Sequence, residues 1–403
     1  MNKKVLIISQ YYFPEQFMIT DIAESLSNKG YDITVLTGIP NYPLGKKISN
    51  YKNKFQEEMI NGIRVKRVPI ILRGSGLKMI LNYLSYAFMA SISALKLSND
   101  FDIVYVYEVS PVTQIFPAYL YKKLKNKKTK LLVNCQDIWP EVLKTYGFTD
   151  KSTIFRAGKA ISKYLYKKAD RILVSSSMFK DYLIGMFNID DDRINYLPNY
   201  GDDWVLQVSN QTNYDDKIHL LFAGNMGKTQ NLSLIINSVH QCFYKDRIIV
   251  DFVGDGSEMN ALIDLTEQLG LNDIIIFHGR KNKKELKDFY ERASAFLLTL
   301  ICDNKVCYTV PSKVQGYMGA GKPIIASILG GAKDLIEKSD CGLIAAYNDT
   351  KDLSNSLDDF ICNYSKYKKL GDNGRKYFKE HFTFDKYLSK LISYLEDKDE
   401  SVI

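Results

Sequence analysis

The residues of this chain whose types and spacing best fit anion chemistry lie between Tyr308 and Gly342. Pro311 suits the opening of a helix, because its missing N–H would go unsatisfied there anyway. Ser312 and Lys313 then fall in the first turn, where backbone N–H groups and the helix dipole attract negative charge. Gly319-Ala320-Gly321 stops that helix, a strand follows at Pro323–Ala326, and Gly330-Gly331 opens another helix with a second cluster of amides. Two phosphate-friendly helix starts, one with a lysine, predict a nucleoside diphosphate site. A second glycine-rich turn runs from Phe222 to Lys228 and includes Asn225. A lysine beside free amides can offset charge on a departing phosphate, so Lys228 joins the candidates.

Three further candidates follow apolar runs. Glu108 comes after DIVYVY, and Asp137 follows KLLVNCQ. Asp137 could accept a hydrogen bond from a ligand hydroxyl or cap the helix that follows. Separation along the chain does not make Glu108 and Asp137 an acid–base pair. Arg280, after Phe277-His278-Gly279, either meets the ligand or belongs to a solvated basic face reaching Lys287.

Other chemistries lack their residues. A dinucleotide enzyme would show G-x-G-x-x-G straight after VLIIS, where this chain has Gln10-Tyr11-Tyr12-Phe13-Pro14-Glu15. The 4 histidines and 6 cysteines show no metal or disulfide spacing, so neither a metal nor a cofactor is expected. Unpaired cysteines and no evident signal peptide predict a reduced, cytoplasmic setting. Nucleic acid is not expected as a partner, for no reader motif accompanies the lysines.

The elements that position these residues come from apolar runs alternating with helical patterns, which predicts parallel sheets with crossover helices. Strands are expected at 4–9, 32–37, 63–68, 102–107, 130–135 and 171–175, then at 219–223, 248–253, 273–278, 295–299, 323–326 and 343–346. A chain of 403 residues exceeds one core. The predicted fold class is α/β, two doubly wound, Rossmann-like parallel-sheet domains facing a cleft, with ligands beyond the C-terminal strand ends. The expected domains are residues 1–200 and 217–383, joined by a polar linker at 198–217, with a terminal helix at 384–403. Residues 1–205 carry 29 Lys and Arg against 19 Asp and Glu, whereas residues 206–403 carry 25 against 27. Only the first half is therefore expected to meet an extended anionic partner. Met79–Leu95 holds no charge and reads as a buried crossover helix or an interfacial one, with lysine clusters at 122–130 and 159–168 beyond it.

The block from Pro311 through Lys313, Tyr317, Met318, Gly321, Lys322 and Pro323 to Ala326 resembles the nucleotide-sugar core of retaining glycosyltransferases of GT-B fold, family 4. Thr37–Pro43 and Gln136-Asp137-Ile138-Trp139-Pro140-Glu141 resemble its capsule and O-antigen subgroup, which includes N-acetyl-L-fucosamine transferases. The chain departs from the pattern at Gly316 and Tyr308, where the family usually has glutamates for the ribose and the donor sugar. Gln315 is the nearest amide to the missing ribose ligand.

The resemblance implies a transferase that takes a sugar from a nucleoside diphosphate donor, UDP-linked and possibly an N-acetylated deoxyhexose, with retention. The implied acceptor is a polyprenyl-diphosphate-linked glycan, handled at the anionic inner face of the plasma membrane. Asp137, Glu108 and Lys228 take the catalytic places. Asn225, Lys228, Arg280, Ser312, Lys313, Gly330 and Gly331 hold the donor, without metal. It also implies that the terminal helix packs back across the hinge. A UDP-sugar 2-epimerase of the same fold and a non-catalytic membrane scaffold are the alternatives.

Overall fold

The computed structural model describes residues 3–48, 50–209, 217–302 and 305–398. The chain divides into two compact units, Met1–Leu197 with Leu388–Ile403, and Pro198–Tyr387.

The first unit is built on β1 (Lys4–Ile8), β2 (Asp32–Gly38), β3 (Gln56–Ile60), β4 (Ile63–Val68), β5 (Ile103–Glu108), β6 (Lys130–Cys135), β7 (Arg171–Val174) and β8 (Ile194–Tyr196). They order as β3-β4-β2-β1-β5-β6-β7-β8, parallel except for β3. Its helices are α1 (Ile19–Asn28), α2 (Leu77–Lys96), α3 (Ile115–Leu124), α4 (Thr153–Tyr166) and α5 (Ser177–Phe187). Every residue of β5 is buried, as expected of a strand covered by helices on both faces. Ser152 starts α4 by accepting the Phe155 N–H at 3.2 Å.

The second unit holds β9 (Ile218–Ala223), β10 (Ile248–Val253), β11 (Ile275–Phe277), β12 (Ala295–Thr299), β13 (Ile324–Ser327) and β14 (Gly342–Ala345), ordered β11-β10-β9-β12-β13-β14 and all parallel. Its helices are α6 (Leu232–Gln241), α7 (Met259–Gln268), α8 (Lys283–Arg292), α9 (Ser312–Ala320), α10 (Gly331–Lys338), α11 (Thr350–Cys362) and α12 (Tyr364–His381), followed by α13 (Phe384–Glu396). A reciprocal cap between Asn282 and Glu285 opens α8.

The expected strands all form, within a residue or two of the expected ends. The sequence did not predict β3 or β8. β3 is an antiparallel edge strand, polar and open to solvent at alternate residues, and β8 has only 3 residues. The expected linker also differs. Val205 and Val208 are buried against the core that contains Met318 and Phe378, so residues 198–209 are part of the second unit. Residues 210–216 of that linker lie outside the described residues.

From Leu388 onward α13 belongs to the first unit, where Leu391, Tyr394 and Leu395 are buried. There Tyr394 donates its hydroxyl to the Tyr196 carbonyl at 3.2 Å, and Lys130 donates to the Tyr394 carbonyl at 2.9 Å. Lys130 therefore leaves the surface cluster in which the sequence placed it. The uncharged stretch forms α2, which buries Met79, Tyr83, Tyr86, Ala90 and Ala94 along one face. Among the described residues no helix is long and apolar enough to cross a membrane.

Each sheet reverses its strand order once, between β1 and β5 and between β9 and β12. Loops leaving adjacent strands in opposite directions open a crevice at such a point, and ligands of doubly wound sheets bind there.

Candidate functional site

In the second unit the loop after β9 and the helix after β12 flank that crevice. The chain leaves β9 through Gly224, whose φ of 146° favours glycine and whose missing Cβ would lie 3.1 Å from Lys313 Nζ. Its N–H bonds the Val253 carbonyl at 2.9 Å, and Met226 N–H bonds the Asp255 carbonyl at 2.9 Å. At Gly254 a Cβ would stand 1.9 Å from the Gly224 carbonyl oxygen, so these two loops meet backbone to backbone.

Helix α9 starts after Pro311, which is its N-cap rather than its first residue, and ends at Gly321 with φ 72°. Tyr317 pins the helix to the end of β9. Its hydroxyl accepts the Ala223 N–H at 3.0 Å and donates to the Ala223 carbonyl at 3.2 Å, while its ring stacks on Phe296 at 4.1 Å. One turn earlier, Lys313 lies 4.2 Å over the Phe222 ring and donates Nζ to Gln230 Oε1 at 2.6 Å. Thr299 fixes Gln230 in turn, donating to its carbonyl at 2.6 Å. Burial lowers the Lys313 pKa to about 8. Its neighbours are an amide oxygen and an aromatic face, and among the described residues this partly desolvated ammonium has no counter-anion. A diphosphate would supply one.

Asn225 and Lys228 are exposed on the same loop, Lys228 in the single turn that contains Gln230. Ser312 is exposed at the positive end of α9. The fold thus gathers Asn225, Lys228, Ser312 and Lys313 on the two segments bounding one crevice. Arg280 is exposed after edge strand β11, in the next row of loops, where the Gly279 carbonyl takes the Gly254 N–H at 2.9 Å. Gly330 sits after β13 with φ 77°, and a Cβ there would stand 2.2 Å from the Cys307 carbonyl oxygen. Gly330 and Gly331 therefore abut the turn that contains Tyr308.

Two residues of the sequence block play other parts. Gln315 is buried, and its amide turns back to the Pro311 and Ser312 carbonyls at 3.0 Å each, so it is no substitute for a ribose ligand. Lys322 precedes β13, at the opposite end of the sheet from the loops, and donates to the Glu291 carbonyl at 3.4 Å. Gly316, by contrast, is open. A Cβ there would meet only the Tyr290 hydroxyl, at 3.9 Å.

The first unit corrects two expectations. Glu108 is not a cleft carboxylate, for it has no exposed surface. Its side chain packs under α4 and accepts the Tyr166 hydroxyl at 2.9 Å. Burial, with the Asp137 charge added, pushes its carboxyl well above the ordinary range, so the neutral form is favoured where it lies enclosed. Asp137 caps no helix. Its Oδ2 accepts the Ser110 N–H at 2.8 Å and the Ser110 hydroxyl at 2.6 Å, tying the loop after β6 to the loop after β5. Asp137 remains half-buried just beyond the end of β6.

The aromatic-Pro-Glu turn is a structural clasp. Glu15 is buried and takes the Asn41 and Tyr42 N–H groups at 2.8 and 2.7 Å. Glu141 is likewise buried, accepting the Tyr182 hydroxyl at 3.0 Å.

Sequence spacing hid one polar cluster. Asp251 of β10 bonds His219 Nδ1 at 3.0 Å, His278 Nε2 at 2.6 Å and Arg292 at 3.1 Å. Burial alone would raise the Asp251 carboxyl, but its histidine hydrogen bonds and the Arg292 charge outweigh that and hold it well below the carboxylate range. Parallel neighbours bring together side chains that are far apart in the chain, which no local spacing reports. Among the described residues no group of His, Cys, Asp and Glu is arranged to hold a metal ion.

The crevice of the second unit can bind a diphosphate, with Lys313 and Lys228 as cations and α9 supplying dipole and amides. Residues 16–202 match the family model Glycosyltransferase Family 4, and residues 207–377 match Glycosyl transferases group 1. The chain is 24% identical over 403 residues to an uncharacterized glycosyltransferase of Methanocaldococcus jannaschii, with 95% of each chain covered. It is 21% identical to the N-acetyl-alpha-D-glucosaminyl L-malate synthase of Bacillus anthracis, covering 92% of this chain and 90% of that one. Its fold is similar to that of Anabaena HepE, solved in complex with UDP, with a TM-score of 0.72 at 14% identity over 98% of this chain and 100% of that one.

Proposed function

We propose, from the premise that the chain is a glycosyltransferase of GT-B fold made of a Family 4 domain and a group 1 domain, that its donor is a UDP-linked sugar and its acceptor a polyprenyl-diphosphate-linked glycan. The observation that carries the donor reading is Lys313, desolvated and bonded to Gln230 beside Gly224 at the strand-order reversal. There a diphosphate gains a charge-assisted contact and the positive end of α9 at once. UDP fits because Anabaena HepE, which shares the fold, is solved with it.

Transfer proceeds with retention and without metal. Lys313 and Lys228 offset charge on the leaving diphosphate, whose own oxygen takes the acceptor proton on the face it departs from. Asp137 orients the acceptor hydroxyl. The donor sugar is an N-acetylated deoxyhexose, as in the subgroup that the motifs resemble, and the product enters capsule or O-antigen. The basic first unit meets the anionic inner face of the plasma membrane, so the enzyme is peripheral and cytoplasmic.

The test is a donor screen with purified protein and membrane lipid extract, read by nucleotide release. Extract-dependent release of UDP from one donor supports the reading. Release from no donor, or release that ignores the extract, overturns it.

A further inference from the structure

We infer that a groove between α2, α3 and α4 of the first unit seats the hydrocarbon chain of a phosphate-headed lipid, namely the acceptor; this rests on the lipid-linked acceptor proposed above. The groove has a volume of about 510 Å³ and is lined by Leu84, Phe88, Phe116, Ile161 and Tyr164 among others. That size lies within the range of small-ligand sites.

Helix α2 explains how the lining arises. Its charge-free stretch, Met79–Leu95, is apolar on both sides, so a second stripe remains after one side is buried in the unit. Leu77, Leu81, Leu84 and Phe88 form that stripe on successive turns, and Phe88 is 62% exposed. Ile161 faces the same groove from α4 and is 40% exposed. Apolar side chains this open need a covering.

What covers them follows from the order of polarity outward. Tyr164 donates its hydroxyl to that of Tyr119 at 3.1 Å, which places a polar tip over an apolar body at the groove's edge. Lys168 lies 4.9 Å over Tyr164 and 5.7 Å over Tyr119, and Lys123 lies 5.7 Å over Tyr119. Arg156, Lys159, Lys163 and Lys167 are exposed on the stripe of α4 next to the one that lines the groove. Hydrocarbon lining, tyrosine hydroxyls and then cations match a lipid chain, its interface and its phosphate head.

A concave seat suits one chain, whereas insertion into a bilayer calls for a protruding apolar tip. A second copy of this chain would bring one lysine-rich rim against another, and like charges oppose that contact.

The test uses the full chain saturated with UDP, so that the donor crevice is blocked, and titrates it with farnesyl diphosphate in a calorimeter. Inorganic pyrophosphate is the head-only control, and vesicles with anionic phosphatidylglycerol report membrane binding. Phe88→Asn and Ile161→Asn change exposed side chains, and thermal melts confirm that they fold. Each should weaken farnesyl diphosphate binding about tenfold or more while vesicle binding stays within about twofold. Lys163→Glu with Lys167→Glu should weaken farnesyl diphosphate more than farnesol.

Unchanged farnesyl diphosphate affinity in the groove variants overturns the inference. So does loss of vesicle binding alone, which would make the surface a bilayer contact, and so does a dimer in sedimentation that the variants dissolve. If lipid extract drives nucleotide release but the variants leave acceptor KM unchanged, the groove falls and the enzymatic reading stands. If no extract supports release while the groove still binds farnesyl diphosphate, the acceptor reading falls and the lipid seat stands.

Discussion

Raising the pH should weaken UDP binding through Lys313 alone. Burial lowers its pKa to about 8, against an ordinary lysine near 10.4. A diphosphate beside Nζ favours the charged form, so binding and protonation are linked. If only the ammonium binds, the apparent Kd scales as roughly 1 + 10^(pH − 8), by the population argument for a fractionally competent state. That factor is about 1.1 at pH 7, about 2 at pH 8 and about 11 at pH 9, a loss near 1.4 kcal/mol across the range.

The sign for the free protein is opposite. Its fold favours neutral Lys313, so stability rises as pH climbs from the folded pKa toward the unfolded one, and the melting shift produced by UDP shrinks over the same window. Calorimetry of UDP binding between pH 7 and 9, in buffers of differing ionisation enthalpy, measures both Kd and proton uptake. About half a proton should be taken up at pH 8. Lys313→Arg stays charged throughout and should flatten the profile, while any titration of UDP itself would persist in that variant. Lys313→Ala should bind about 1–3 kcal/mol more weakly at pH 7 and show no slope. A flat wild-type profile, or equal slopes in wild type and Lys313→Arg, would refute the reasoning.

Gly316→Glu should fold, because the position is open apart from the Tyr290 hydroxyl at 3.9 Å, and should sharpen discrimination between UDP and 2′-deoxy-UDP. A melting point lowered by more than about 5 °C, or undiminished acceptance of the deoxy ligand, would count against this. Asp251→Asn leaves His219, His278 and Arg292 without their shared carboxylate and should cost about 3–5 kcal/mol in denaturant unfolding. The wild-type contribution of Asp251 should be present above about pH 4 and fade as pH falls further, since its folded pKa is depressed; acid melts that match in the two proteins would contradict it. Turnover should survive EDTA, and full loss restored by magnesium or manganese would require a metal site.

The sequence by itself determined the elements and the chemistry that one helix turn can carry. Runs such as VLII and IVYVYE are apolar on both faces, a demand that a helix-covered parallel strand meets. Ser312 and Lys313 sit at a helix start because Pro311 and Gly321 punctuate the chain locally. β3 was not legible, since an edge strand facing water need not be apolar.

Only the tertiary structure decided which of these residues can act. Glu108 and Asp137 look alike after their strands, yet α4 seals one and leaves the other half-buried. Lys313 and Lys322 share one motif, yet a helix and a turn separate them, so they lie at opposite ends of the sheet. Gln230 met Lys313, and Asp251 met His219 and His278, because crossovers place distant segments side by side. The open stripe on α2 followed from its neighbours covering only one of two apolar sides. Propensity and capping act within a few residues, whereas burial, charge pairing and pKa depend on segments that the chain brings together only when it folds.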